Sequence, residues 1–234
     1  RALRRTGRPI VFSVCEWGAR EPWRWAAASG GHLWRTTWDV RDTWEGEYHA
    51  GRAGIMSIVD RQVALADYAG PGRWNDPDML VVGLYGKGES STITGYPPMN
   101  DTEYRTQMSL WCLMAAPLLI SCDVRSMNAP TRETLGHPEI IAIDQDPLGR
   151  QGYRAIKDRT IEIWKKPLAG GEVALGFLNR GDAAAEVTLR WTDIALAPSW
   201  RVRDVWRREE LGVVRDRITL AVASHETRVV RLSR

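Results

Sequence analysis

Residues 33–44 read LWRTTWDVRDTW. The first five, 33–37, have the content of a short strand, and Trp38 and Asp39 stand where that strand ends. A surface loop accounts for Asp42, three positions on. A carboxylate at a strand end among indole rings is the less ordinary feature. The arrangement recurs along the chain. PIVFSV (9–14) is a buried strand with CEWG (15–18) at its end, followed by a short helix over 22–29 that Gly30 and Gly31 close. A helix carrying Ile55, Ile58, Val59, Val63 and Leu65 follows the second strand and stops at Gly70, Pro71 and Gly72. RWNDPDMLVVG (73–83) is a turn-rich element with Asp76 and Asp78 around Pro77, and a Gly/Ser/Thr/Pro loop spans 83–98. NDTE (100–103) has capping-box spacing for a helix reaching about residue 116. Pro117 opens a strand over 118–121 that ends at Cys122 and Asp123, and 131–135 and 138–143 read as helical.

Strand, polar cluster and helix, repeated four times, specify parallel βα units. In a (β/α)8 barrel the chemistry sits where strands pass into the loops that follow them. Glu16, Arg35, Asp39, Asp78 and Asp123 all hold that kind of position. Four units make half a barrel, and an isolated half leaves two unpaired strand edges and an open core face. After Gly149 the texture changes. Short apolar segments at 160–164, 173–178, 185–191, 202–205, 218–221 and 228–232 are separated by Gly, Asp and Pro turns, the spacing of a small antiparallel β-sandwich. The expected fold is α/β: the last four βα units of a TIM barrel over residues 1–149, then a sandwich domain over 150–234.

Bulk properties narrow the function. The 234 residues are 44% hydrophobic and 26% charged, an ordinary globular balance. The 32 basic residues are mostly arginine and scattered, and the net charge is only +3, which gives nucleic-acid binding little support. No apolar run is long enough for a membrane-spanning helix. The chain opens on Arg1, and RALRRTG resembles the last turn of an amphipathic helix, so the N-terminus reads as a cut inside a larger product, silent on export. Cys15, Cys112 and Cys122 are an odd number without metal-type spacing, and free cysteines are the plain reading. His32, His49, His137 and His225 are dispersed, without a triad partner or zinc-ligand spacing. No glycine-rich phosphate loop occurs, so neither a metal nor a cofactor is expected.

Carboxylates supply the acid, base or nucleophile of glycoside hydrolysis, usually as a facing pair. Asp39 is a candidate for one of them: indole walls from Trp38 and Trp34, with another acid near, push a carboxyl toward the protonated form that a general acid needs. The alternative is a loop aspartate or a helix N-cap. Arg35 is suited to grip a sugar hydroxyl or orient a carboxylate, or else forms a structural ion pair. Trp17 is placed to stack on a sugar face beside Glu16, or else packs in the core. Seven of the twelve tryptophans precede residue 75, a concentration around the candidate site that tilts toward carbohydrate. An Asx turn accounts for Asp76.

Taken together, FSVCEWG (12–18), LWRTTWDVRDTW (33–44), AGPGRWNDPDMLVVG (69–83), SLWCLMAAPLLISCDVR (109–125) and IAIDQDPLGRQG (141–152) resemble α-galactosidases of glycoside hydrolase family 27. The resemblance covers residues 8 to about 152, while the tail matches only in kind, a terminal β-sandwich. It implies a retaining hydrolase that releases terminal α-D-galactose without a cofactor. Asp39 aligns with the acid/base; Cys15, Glu16, Trp17, Arg35 and Asp78 align with residues lining the galactose pocket, with Met79 beside them. Members that prefer N-acetylgalactosamine carry a small residue at the position of Glu16, so galactose is favoured. A β-L-arabinopyranosidase, an α-N-acetylgalactosaminidase and a non-catalytic carbohydrate-binding derivative are the alternatives. Two departures stand out. The family's nucleophile lies in a Lys-Tyr-Asp motif ahead of the segment aligned with Pro9, and no such motif occurs here. The chain alone is therefore expected to be inactive, its partner being the N-terminal half of its own barrel. Some members also pair the cysteine equivalent to Cys15 with one near Gly31, and glycine forbids that bridge.

Overall fold

The structure is a computed structural model that describes residues 2–46, 51–88 and 90–234. His49, read above as lacking a triad or metal partner, lies outside the described residues, as does Arg1. A short helix α1 (Ala2–Arg5) precedes β1 (Ser13–Val14), β2 (Leu33–Arg35), β3 (Asp39–Val40) and β4 (Arg52–Ala53). Then come α2 (Ile55–Gln62), β5 (Trp74–Asp76), α3 (Asp101–Leu113), α4 (Ala129–Leu135) and α5 (Pro138–Asp144). β2 lies between β1 and β5 and pairs with both in parallel, and a parallel bridge joins Leu80 to Ile120. The TIM-barrel reading is therefore met by parallel strands in barrel order.

Strand alternation sorts the side chains of this sheet. Trp34 and Asn75 point outward, where the Trp34 indole donates to Asn75 Oδ1 (2.8 Å) and Asn75 Nδ2 donates to the Leu65 carbonyl (2.7 Å). Leu33, Arg35, Trp74 and Asp76 take the opposite, inward face. That face is open. Val11, 72% exposed, stands at the β1 edge, and Leu119 and Ile120 are exposed at the other. A cavity of about 410 Å³ lies where the strands begin, walled by Leu33, Trp74 and Pro117.

Some elements differ from expectation. The turn-rich stretch 73–83 contains β5, because buried hydrogen bonds to Asn75 and Asp76 override their poor strand preference. The helix over 22–29 shrinks to the turn Pro22–Arg24, and the strand over 118–121 to its single bridge.

The rest of the chain is antiparallel: β6 (Tyr153–Asp158), β7 (Ile161–Pro167), β8 (Val173–Asn179), β9 (Ala185–Arg190), β10 (Ser199–Asp204), β11 (Glu209–Arg215), β12 (Arg217–Val222) and β13 (Thr227–Ser233). Six form a sheet ordered β11-β10-β13-β8-β7-β6, and β9 pairs with β12. Phe177, Leu189, Val202, Leu220 and Val230 from both sheets share one core. β6 and β11 escape a sequence reading because they are the sheet's outer strands and neither holds a fully buried residue, so they lack apolar alternation.

The two parts are joined by a second core in which Trp111 and Leu113 of α3 meet Trp164, Leu178 and Val229. Asp60 of α2 adds a polar tie, accepting from Arg154 (2.7 Å) and Arg180 (2.9 Å). Helix α3 is started by the capping box read from sequence: the Asn100 side chain accepts from the Thr102 and Glu103 N–H groups, and Glu103 returns a bond to the Asn100 N–H. Asn100→Ala should cost about 1 kcal/mol, the usual loss for an N-cap, lowering the thermal midpoint by about 2–4 °C. Calorimetry checks this, and an unchanged midpoint counts against the cap as the helix start.

Candidate active site

The strand ends bring four of the predicted residues into one bonded cluster. Arg35, last in β2, directs Nη2 to Asp39 Oδ1 (3.1 Å), to Asp78 Oδ2 (2.9 Å) and to the Thr37 carbonyl (3.2 Å). Its buried Nε has no partner among the described residues. Trp17 donates its indole N–H to the same Asp39 Oδ1 (3.1 Å). Asp39 thus carries both donors on one oxygen, and its side chain remains 43% exposed. Trp38 and Trp34 were expected to wall it. Trp34 does not, because strand alternation turns it to the outer face.

Asp78 is the buried member. Its carboxylate also accepts from the Val40 N–H (2.9 Å) and the Met79 N–H (2.9 Å), and the buried Trp111 indole donates to its carbonyl (2.7 Å). Burial raises its pKa, opposed by Arg35 and these N–H donors. The backbone is left-handed both here (φ 86°) and at Trp17 (φ 56°), uncommon for side chains this large. Asp76 makes the expected Asx turn, its Oδ1 accepting from the Asp78 N–H (2.8 Å). Burial pushes the Asp76 carboxyl up to about 6.

The other predicted residues stand at the margin. Met79 joins through its backbone, and its side chain packs against the hydrophobic core. Cys15 is free and exposed beyond β1. The Glu16 carboxylate accepts twice from the Arg20 N–H (2.9 and 3.1 Å) and bonds to none of the cluster among the described residues. Asp123 is an exposed partner of Arg125.

Asp42 overturns the surface-loop reading: it is fully buried. It accepts from the Tyr104 hydroxyl (2.8 Å) and from the Gly86 (2.7 Å) and Met99 (3.3 Å) N–H groups, while its own N–H donates to the Ser90 carbonyl (2.9 Å). It therefore ties the 83–98 loop to the segment that carries Asp39. No local pattern announced it, because its partners among the described residues lie more than 40 residues away.

Acidic groups and an arginine gathered at the C-terminal ends of parallel strands, ahead of an antiparallel sandwich, define a (β/α)-barrel protein with an appended β-domain. The chain belongs to the family described as Alpha galactosidase A, whose model matches residues 1–146; residues 158–232 match the Alpha galactosidase C-terminal beta sandwich domain. It is 40% identical to Alpha-galactosidase 2 of Arabidopsis thaliana, over all of this chain and 54% of that protein. With the Alpha-galactosidase of Cyamopsis tetragonoloba it is also 40% identical, over 100% of this chain and 52% of the relative. Alpha-galactosidase I of Mortierella vinacea superposes with a TM-score of 0.88 at 31% identity, covering 99% of this chain and 60% of that one. The chain thus spans about half the length of these curated relatives.

The buried Asp76 has a consequence for stability. Its folded pKa lies above the unfolded value of 3.8, so its contribution is present below pH 3.8 and is lost as pH rises through about 6. Asp76→Asn keeps the acceptor for the Asp78 N–H and removes the charge. Relative to the native chain it should gain about 2–3 kcal/mol between pH 4 and 7. Urea unfolding across that range checks it, and parallel stability profiles for the two proteins refute it.

Proposed function

We propose that this chain supplies the acid/base half of a retaining α-galactosidase. The observation that carries the reading is Asp39 itself. Trp17 and Arg35 both hold Oδ1, and Oδ2 takes no bond among the described residues, on a side chain that is 43% exposed. In this role Asp39 protonates the departing glycosidic oxygen and then takes a proton from the incoming water. Asp78 anchors Arg35 so that the guanidinium meets Asp39 from a fixed direction, and Cys15, Glu16, Trp17 and Met79 border the sugar. Glu16 fills the space an acetamido group would need, which favours galactose. We assign the chemistry to residues 1–149 and give 150–234 to the accessory sandwich.

The exposed strand edges and the open inner face fit a second half barrel, and that half brings the nucleophile that this sequence lacks. In barrel terms the cavity beside Leu33 and Trp74 is the space its side chains fill. The relatives' names support α-galactosidase activity. A Geobacillus stearothermophilus β-L-arabinopyranosidase shares the fold, with a TM-score of 0.85 at 24% identity.

The test is the product in which a nucleophile-bearing half precedes Arg1. There, Asp39→Asn should lower kcat/KM on an α-galactosyl disaccharide by about 10²–10⁴-fold, the usual weight of general acid catalysis. An aryl α-galactoside, whose leaving group needs no proton, should suffer much less in its first step. Unimpaired turnover of the disaccharide sinks the assignment of Asp39. Faster turnover of aryl β-L-arabinopyranoside or α-N-acetylgalactosaminide by the native protein sinks the galactose preference. Galactose binding without hydrolysis of any of these identifies a carbohydrate-binding derivative.

A further inference from the structure

Several arginines of the sandwich meet carboxylates. Arg154 reaches Glu162 (2.9 Å), Arg203 reaches Glu139 (2.7 Å) and Arg228 reaches the buried Asp204 (2.7 Å). At one edge three arginines without such a partner come together. Arg190 at the end of β9 and Arg217 at the start of β12 are direct cross-strand partners, and Arg215 ends β11 two positions earlier. All three are exposed, and none makes an ion pair among the described residues. Together they line a cavity of about 560 Å³ with Trp191, Pro198 and Asp216.

Like charges facing each other across antiparallel strands destabilise a sheet. Among the described residues none of the three forms an ion pair with a carboxylate: Asp193 accepts from the Arg190 backbone N–H (3.2 Å), and within the cavity lining three guanidiniums against Asp216 leave a charge of +2. The frame is firm. The fully buried Trp191 donates its N–H to the Asp216 carbonyl (2.8 Å), and the Asp216 N–H donates to the Pro198 carbonyl (2.7 Å). Two residues along the same outward face, Thr188 and Thr219 pair their hydroxyls at 2.8 Å, so the cationic end runs onto a hydroxyl strip.

We propose that this cavity binds an anionic polysaccharide, taking a carboxylate or sulfate group of one sugar between the guanidiniums of Arg190, Arg215 and Arg217. Forked donors suit both groups. The demand for an anion rests on the cavity alone, and the choice of a polysaccharide rests on the glycosidase reading of the barrel. The site lies in the sandwich, apart from the Asp39 cluster, and holds the domain on charged glycan.

Affinity electrophoresis of the full chain through gels carrying polygalacturonate, a sulfated galactan or neutral galactomannan tests it. The native chain should be retarded by at least one anionic polymer and not through this site by galactomannan, the stronger arm telling carboxylate from sulfate. Arg190→Gln with Arg217→Gln should weaken that retardation at least about fivefold, while Arg201→Gln, an exposed charge outside the cavity, should leave it unchanged. The double variant should melt no lower than the native chain, because it loses a repulsion. The proposal falls if neither anionic polymer retards the chain, if the double variant is retarded equally, or if duplex DNA is held as strongly as both polysaccharides. None of these readouts uses hydrolysis, so failure here leaves the α-galactosidase reading standing, while failure of that reading leaves the anion site and removes the reason for choosing a polysaccharide.

Discussion

The contact between Arg35 and Asp78 organises the candidate site. Two opposite charges sit 2.9 Å apart at the ends of neighbouring parallel strands, with Asp78 buried. Taking such charges out of water is costly, and the cost is offset only when the remaining acceptors are filled. The N–H groups of Val40 and Met79 fill them. The same bonds hold the left-handed backbone at Asp78, a conformation that persists only where the surroundings over-determine it. With Asp78 held, Arg35 has one direction left, and it points the guanidinium at Asp39.

That cluster depends in turn on helix α3, which closes the site from behind. Trp111 donates to the Asp78 carbonyl, Tyr104 donates to Asp42, and the far side of the helix packs on the sandwich through Leu113 and Trp164. One helix therefore transmits the position of the antiparallel domain to the residues around Asp39. The sandwich is a packing partner of the site as well as a separate surface. The ion network of Asp60, Arg154 and Arg180 reinforces that junction from α2.

Much of the fold was legible because its signals are local. The Asn100 to Glu103 spacing names a helix start, and apolar runs between turn residues name β7 to β10, β12 and β13. Failures fell where long-range bonds or solvent outweigh local preference. β5 was hidden by Asn and Asp, residues that disfavour strands until buried partners satisfy them. β6 and β11 lie at sheet edges, where one apolar face is no longer required. Trp34 was placed beside Asp39 by nearness in sequence, although strand pleating sends alternate residues to opposite faces.

The amino-acid sequence by itself determined the family, the parallel-then-antiparallel order and the residues to watch at strand ends. These rest on motifs and on periods of a few residues, which a linear chain carries intact. Tertiary structure alone decided that Arg35 bridges Asp39 and Asp78, that Trp17 bonds to Asp39 from 22 positions away, and that Asp42 is a buried knot. It alone also opposed Arg190 to Arg217 across two strands. Hydrogen bonds and charge pairs depend on distances of about 3 Å and on exclusion of water, and only folding sets those.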